Sequence, residues 1–166
     1  TIEDWCEITF NNSTSNPMYY AEHFYMLDEN NEWYKVTETV IPDTITSIGD
    51  YQFSGFDNLT KVTIPSSVQN IRTSAFNDCS GLTSIYFTGT LLDWCNIQVE
   101  DRDSNPMNYA EHFFMLDENN EYYEVIEIII PESITEVGNY QFYGFKNATS
   151  LDIHNNVTTI GKFAFS

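Results

Sequence analysis

The chain has 166 residues, 42% apolar and 16% aromatic, and its 25 acidic side chains against 6 basic ones leave a formal charge of −19. That balance excludes nucleic acid, whose phosphates need clustered Lys and Arg to displace counterions, and it is repelled by an anionic bilayer surface. No apolar run approaches the roughly twenty residues a membrane-spanning helix needs, and no charged-then-apolar leader opens the chain.

Residues 1–35 come first in chain order, and they are written again as residues 90–124. Trp5-Cys6 returns as Trp94-Cys95, Asn16-Pro17-Met18 as Asn105-Pro106-Met107, and the run Met26 to Glu32 as Met115 to Glu121, always 89 residues on. About half of the aligned positions in the two copies are identical. In the second copy Thr90 is placed to cap a short helix with Leu91, Trp94 and Cys95 on one face. Ser104-Asn105-Pro106 predicts a second cap, with proline near the start of a short helix through Ala110 and His112. Phe113 to Leu116, Asp117 to Asn120 and Glu121 to Val125 predict strand, turn and strand, the last running on into Glu127 to Ile130.

Between and after these segments a shorter period of 23 residues takes over. Ile41-Pro42 recurs as Ile64-Pro65, Phe53 as Phe76, Ile130-Pro131 as Ile153-His154, and Phe142 as Phe165. Leu59, Val62 and Ile64 alternate as the inward side of a strand, and Leu82, Ile85 and Phe87 line up with them, as do Val125, Ile128 and Ile130, and Ala148, Leu151 and Ile153. A second apolar pair comes next in each unit: Ile45 and Ile48, Val68 and Ile71, Ile134 and Val137, Val157 and Ile160. Gly49, Gly138 and Gly161 stand where a tight turn would use a relaxed backbone, and Arg72 interrupts that series. Side chains repeated at one place in successive rungs stack into ladders, so the pattern predicts a solenoid. The organisation expected is one continuous solenoid cut from a longer array. It has long repeats at 1–89 (spacer 1–35, rungs 36–89) and 90–166 (spacer 90–124, rungs 125–166).

Ile130-Pro131-Glu132-Ser133-Ile134-Thr135-Glu136-Val137-Gly138, and Asn77-Asp78-Cys79-Ser80-Gly81-Leu82 with its Cys-x-x-Leu ending, resemble the BspA-like class of leucine-rich repeats over residues 36–89 and 125–166. The resemblance implies a β-rich right-handed solenoid, here with short helices and hairpin inserts. It also implies a secreted or cell-surface protein of bacterial or protist type that binds or adheres to host or neighbouring-cell ligands. No cofactor is expected. Partners are a protein or glycan ligand and the neighbouring repeats of the parent chain, without nucleic acid or direct membrane insertion.

Contact is expected at the strand positions that alternate with the core ladder: Glu38 and Val40, Lys61 and Thr63, Ser84 and Tyr86, Glu127 and Ile129, Ser150 and Asp152. Parallel strands would set these side by side in a flat or concave field. Other readings compete. Tyr19, Tyr20, Trp33, Tyr34, Tyr122 and Tyr123 could stack on sugar faces or anchor a protein, and the chain could equally be a stalk that binds nothing. The tips Asp28-Glu29-Asn30-Asn31-Glu32 and Asp117 to Glu121 carry oxygens for a hard cation but lack EF-hand spacing and its central glycine, so hairpin-turn chemistry is the plainer reading. Cys6, Cys79 and Cys95 predict free structural thiols, Cys79 as a small buried apolar group, with no Cys-x-x-Cys pair for a metal. His23 and His112 predict packing or surface roles, Trp5 and Trp94 the core. Asn-x-Ser/Thr at Asn11, Asn12, Asn58, Asn147 and Asn156 reflects an Asn- and Thr-rich composition. No nucleophile–base–acid set or phosphate loop points to catalysis.

Overall fold

Alternating apolar residues 23 apart bury one side of every strand only if successive strands lie parallel and in register, and that is how the computed structural model, describing residues 1–166, arranges them. The chain winds into a solenoid of about five turns. Glu38–Val40, Lys61–Ile64, Ser84–Phe87 and His112–Leu116 form one parallel ladder, with Tyr122–Glu124 added antiparallel at its far edge. Ser47–Ile48, Asn70–Ile71 and Gln98–Val99 form the ladder on a second side. After the return strand both ladders begin afresh, as Glu127–Ile129 with Ser150–Asp152 and as Glu136–Val137 with Thr159–Ile160.

The inward columns pack as spacing predicts. Leu59, Val62, Ile64, Leu82, Ile85 and Phe87 are buried, and Val125, Ile128 and Ile130 with them. Phe53 stacks on Phe76 at 5.4 Å and Phe142 on Phe165 at 5.3 Å, both nearly parallel. Burying such a ring contributes on the order of 3 kcal/mol. Cys79 fills the place held elsewhere by Phe56 and Phe145, its thiol 3.0 Å from the Phe53 carbonyl. Leu151 and Ile160, inward in pattern, are exposed in the last rung. Threonines bind the turns laterally: the hydroxyls of Thr60, Thr83 and Thr149 donate to the carbonyls of Thr37, Thr60 and Ile126, each 23 residues back.

The tight turn differs from expectation. Gly49 and Gly138 do not adopt the left-handed region; Tyr51, Ser74, Tyr140 and Phe163 do, once per rung, at φ between 51° and 57°. Glycine is needed earlier for space. A Cβ on Gly49 would lie 2.7 Å from Gln52 Oε1, and one on Gly138 2.9 Å from Gln141 Oε1. In the rung where Arg72 replaces the glycine, Ala75 replaces the glutamine and leaves the space open; the last rung keeps Gly161 beside Ala164, where a Cβ would instead lie 2.5 Å from Asn139 N. Arg72 then reaches Asp50 at 3.3 Å.

The segment 90–124 supplies a turn of the coil itself. Its Gln98–Val99 extends the second ladder and its His112–Leu116 the first. Thr90 caps the helix Leu91–Asn96, accepting from Asp93 N while Asp93 bonds back to Thr90 N. The second helix expected through Ala110 and His112 is replaced by two single 3-10 turns, Arg102–Ser104 and Pro106–Asn108, and His112 opens a strand. Asn105 caps the start of the second turn, accepting from Met107 N while donating to the Tyr140 carbonyl of the next rung, and the turn ends early because Glu111 N and His112 N donate to Thr83 O and draw the chain into the ladder. Trp94 fastens the same junction, its indole N–H donating to Gln141 O while the Gln141 amide donates to Trp94 O. Trp5, Gln52, Asn16 and Tyr51 repeat the arrangement 89 residues earlier.

Candidate binding surface

Outward strand residues fall into rows because the register is shared. Glu38, Lys61, Ser84 and His112 make one row, and Val40, Thr63, Tyr86 and Phe114 the next. Lys61 sits at the junction of the two. Its Nζ lies 3.5 Å from Glu38 Oε2 and 4.5 Å above the Tyr86 ring, an ion pair joined to a cation–π contact. Tyr86 stacks on Phe114 at 4.7 Å, and Tyr122, from the return strand, stands edge-on to Tyr86 at 4.8 Å. The result is a small aromatic platform with one ammonium at its margin, carried on a hydrogen-bonded sheet.

The ten expected contact residues do not share one field. Glu38, Val40, Lys61, Thr63, Ser84 and Tyr86 lie on the five-stranded sheet, whereas Glu127, Ile129, Ser150 and Asp152 lie on the separate pair beyond the Tyr122–Glu124 strand. Thr63 is a correction: at 8% exposure it is buried, flanked in register by Val40 and Tyr86, and cannot serve as a contact. Phe114 is the residue that sequence reading missed. It reaches Tyr86 because its strand joins the ladder 28 residues after Ser84, outside the 23-residue period; the alternation of His112, Phe114 and Leu116 with Phe113 and Met115 was the available signal.

The remaining candidates divide clearly. Trp33 (71% exposed), Tyr34, Tyr122, Tyr123, Tyr19 and Tyr20 are all at the surface, Tyr19 and Tyr20 packed edge-on against each other at 4.7 Å. Trp5 and Trp94 are core. The Asp28 and Asp117 carboxylates accept backbone amides within their own turns, from Glu32 and Asn30 and from Glu121 and Asn119, which lowers both carboxyls from the usual value. Asn31 and Asn120 close these turns in the left-handed region. His112 Nδ1 lies 2.7 Å from Glu124 Oε1 rather than against its neighbour Glu111, and that hydrogen bond lowers the Glu124 carboxyl. The amides of Asn58 and Asn147 are engaged by His23 and His112 and their surroundings. His154 Nε2 lies 2.7 Å from the Pro131 carbonyl, a tie between rungs. Burial pushes the Cys6 and Cys95 thiols up to about 12 and raises Cys79 further, so none is a ready thiolate.

No helix is long and apolar enough to cross a membrane. The structure is similar to a leucine rich cell surface protein of Faecalibacterium prausnitzii, with a TM-score of 0.50 and 18% identity, covering 88% of this chain. The chain spans 45% of that protein's length. It is also similar to a leucine-rich repeat protein of Bacteroides ovatus, at 23% identity and a TM-score of 0.39, over 78% of this chain and 46% of that one. No curated protein sequence matches it. The model of the BspA type leucine rich repeat region matches six copies, over residues 30–96 and 119–166. With more than half of its residues matched, and the ladders those residues build, the chain belongs to the BspA-type leucine-rich repeat family.

Proposed function

We propose that this chain is a non-catalytic, protein-binding repeat module that works at a cell surface or outside the cell. The Lys61–Tyr86–Phe114–Tyr122 platform is its anchor. The single observation that carries this reading is the platform itself. Aromatic side chains give large contact area at low entropy cost, and a flanking cation adds orientation. Here they are held by a sheet whose inward side is fully packed, so little ordering is needed on binding. The named surface role of the Faecalibacterium prausnitzii protein supports the extracellular part of the proposal.

The test presents the immobilised chain to a panel of purified extracellular proteins and, separately, to a glycan array. Protein binding that falls about tenfold or more in a folded Tyr86→Ser/Tyr122→Ser variant supports the platform, since hot-spot aromatics cost about 2 kcal/mol or more when truncated. Protein binding untouched by that variant would remove the platform from the account. A glycan reading keeps a foothold in the 71% exposure of Trp33; glycan hits abolished by Trp33→Ala would favour it instead.

A further inference from the structure

Both ladders restart after each hairpin, and the first strand of each restart is left with one bare edge. Glu38–Val40 is the edge strand of the five-stranded sheet, and Glu127–Ile129 pairs only with Ser150–Asp152. Ile41 N donates to Thr63 O and Thr37 O accepts from Thr60 N. In a parallel strand alternate residues serve opposite edges, so residues 37, 39 and 41 serve the ladder and the amides of Glu38 and Val40 face outward. Ile130 N to Asp152 O and Thr149 N to Ile126 O place Glu127 and Ile129 in the same way.

Beside the first edge lies a groove of about 460 Å³ between the strand and the hairpin of residues 25–35. Leu27, Tyr34 and Val40 make its apolar side, and Asp28, Glu29 and Glu38 its acidic rim, with Lys61 at one margin already paired to Glu38. Val40 is 64% exposed, and its counterpart Ile129 is 59% exposed. Short edge strands flanked by acid guard against self-pairing. Guarding alone does not require a large, exposed β-branched residue at the end of the edge strand in both copies.

We propose that each long repeat is a strand acceptor: the outward amides of Glu38 and Val40, and of Glu127 and Ile129, take up an extended segment of a partner protein that alternates basic and apolar residues. Its main chain completes the edge, one row of side chains covers Val40 or Ile129, and its cations meet the acidic rim. Charge selects this occupant. A second copy of a chain with 25 acidic and 6 basic side chains is repelled, as are nucleic acid and anionic lipid. The proposal rests on the protein-binding reading above but uses the strand edges and Val40 and Ile129 rather than the platform's aromatic rings, so the two can fail separately.

The experiment is fluorescence anisotropy with the intact chain and a labelled, end-blocked octapeptide of alternating Lys and Val. Two controls accompany it: a Glu–Val twin, and a Lys–Val peptide with every second amide N-methylated to block one hydrogen-bonding edge. The Lys–Val peptide is expected to bind at two sites per chain, and both controls about tenfold or more weaker. Val40→Pro with Ile129→Pro removes the outward N–H without touching the ladder and abolishes binding. Val40→Ser with Ile129→Ser, which leaves the backbone alone, weakens it even should the proline chain fold poorly. Equal binding of the N-methylated peptide, or full binding by the serine variant, overturns the proposal. Tyr86→Ser/Tyr122→Ser leaves peptide binding unchanged; loss there would show that the platform, not the edge, is being read.

Discussion

Gly138 and Gln141 show how two residues three apart decide a junction together. The glycine leaves room for the Gln141 side chain, which reaches across to the Trp94 carbonyl. Gly138→Ala is expected to destabilise the chain by about 1–3 kcal/mol through overpacking. Gln141→Ala costs about 1 kcal/mol by removing one hydrogen bond to the Trp94 carbonyl, which keeps its bond from Ile97 N. The double variant recreates the Arg72–Ala75 solution in small form, so its loss in urea denaturation is expected to be less than the sum of the two. Strict additivity would show that the glycine is there for another reason. The Gly–Gln pairing was invisible in the sequence because the glycine series invites a backbone explanation, whereas the left-handed residues are Tyr51, Ser74, Tyr140 and Phe163.

Hairpins are the elements that divide the solenoid's sheets, and acid is the means to test them. The Asp117 carboxylate accepts from Asn119 N and Glu121 N, both at or under 2.9 Å, and its folded pKa is depressed. A depressed carboxylate pKa contributes stability that is fully present above the ordinary aspartate value, about 3.9, and is lost as pH falls through the lower folded value. The Asn119 and Glu121 amide resonances are therefore expected to hold still from neutral pH to about 4 and to move only below it. Asp117→Asn should remove that titration while leaving the hairpin at neutral pH. The strand–turn–strand order here was readable from Asp117 to Val125, since a polar turn between alternating apolar runs has local causes. That His112–Leu116 also joins the ladder was not readable, because its 28-residue spacing reflects a helix and two 3-10 turns inserted before it.

At the scale of the whole molecule, a charge of −19 is spread over an elongated coil whose turns touch only their neighbours. Self-repulsion opposes the packed state and is screened over about 10 Å at 0.1 M salt. Thermal midpoints are therefore expected to rise by several degrees between about 0.02 and 0.5 M sodium chloride, since about 1 kcal/mol shifts Tm by 2–8 °C. A midpoint that falls with salt would mean that ion pairs such as Lys61–Glu38 outweigh the repulsion.

The 23-residue alternation by itself determined the coil, its inward columns and the core side chains of the rungs, because a ladder demands the same residue type at the same place in each rung; the spacers' core residues, such as Trp94, Met107 and Phe113, fall outside it. The register between the spacers and the rungs was settled only in three dimensions, where Trp94 meets Gln141 across 47 residues and Phe114 comes to rest on Tyr86. Periodicity records positions that repeat; the 89-residue repeat shows that Trp5 and Trp94 correspond, but not that each meets a glutamine 47 residues on. The outward rows, the bare edges and the buried Thr63 all depend on that register, and so does the choice between one broad surface and the two smaller ones found.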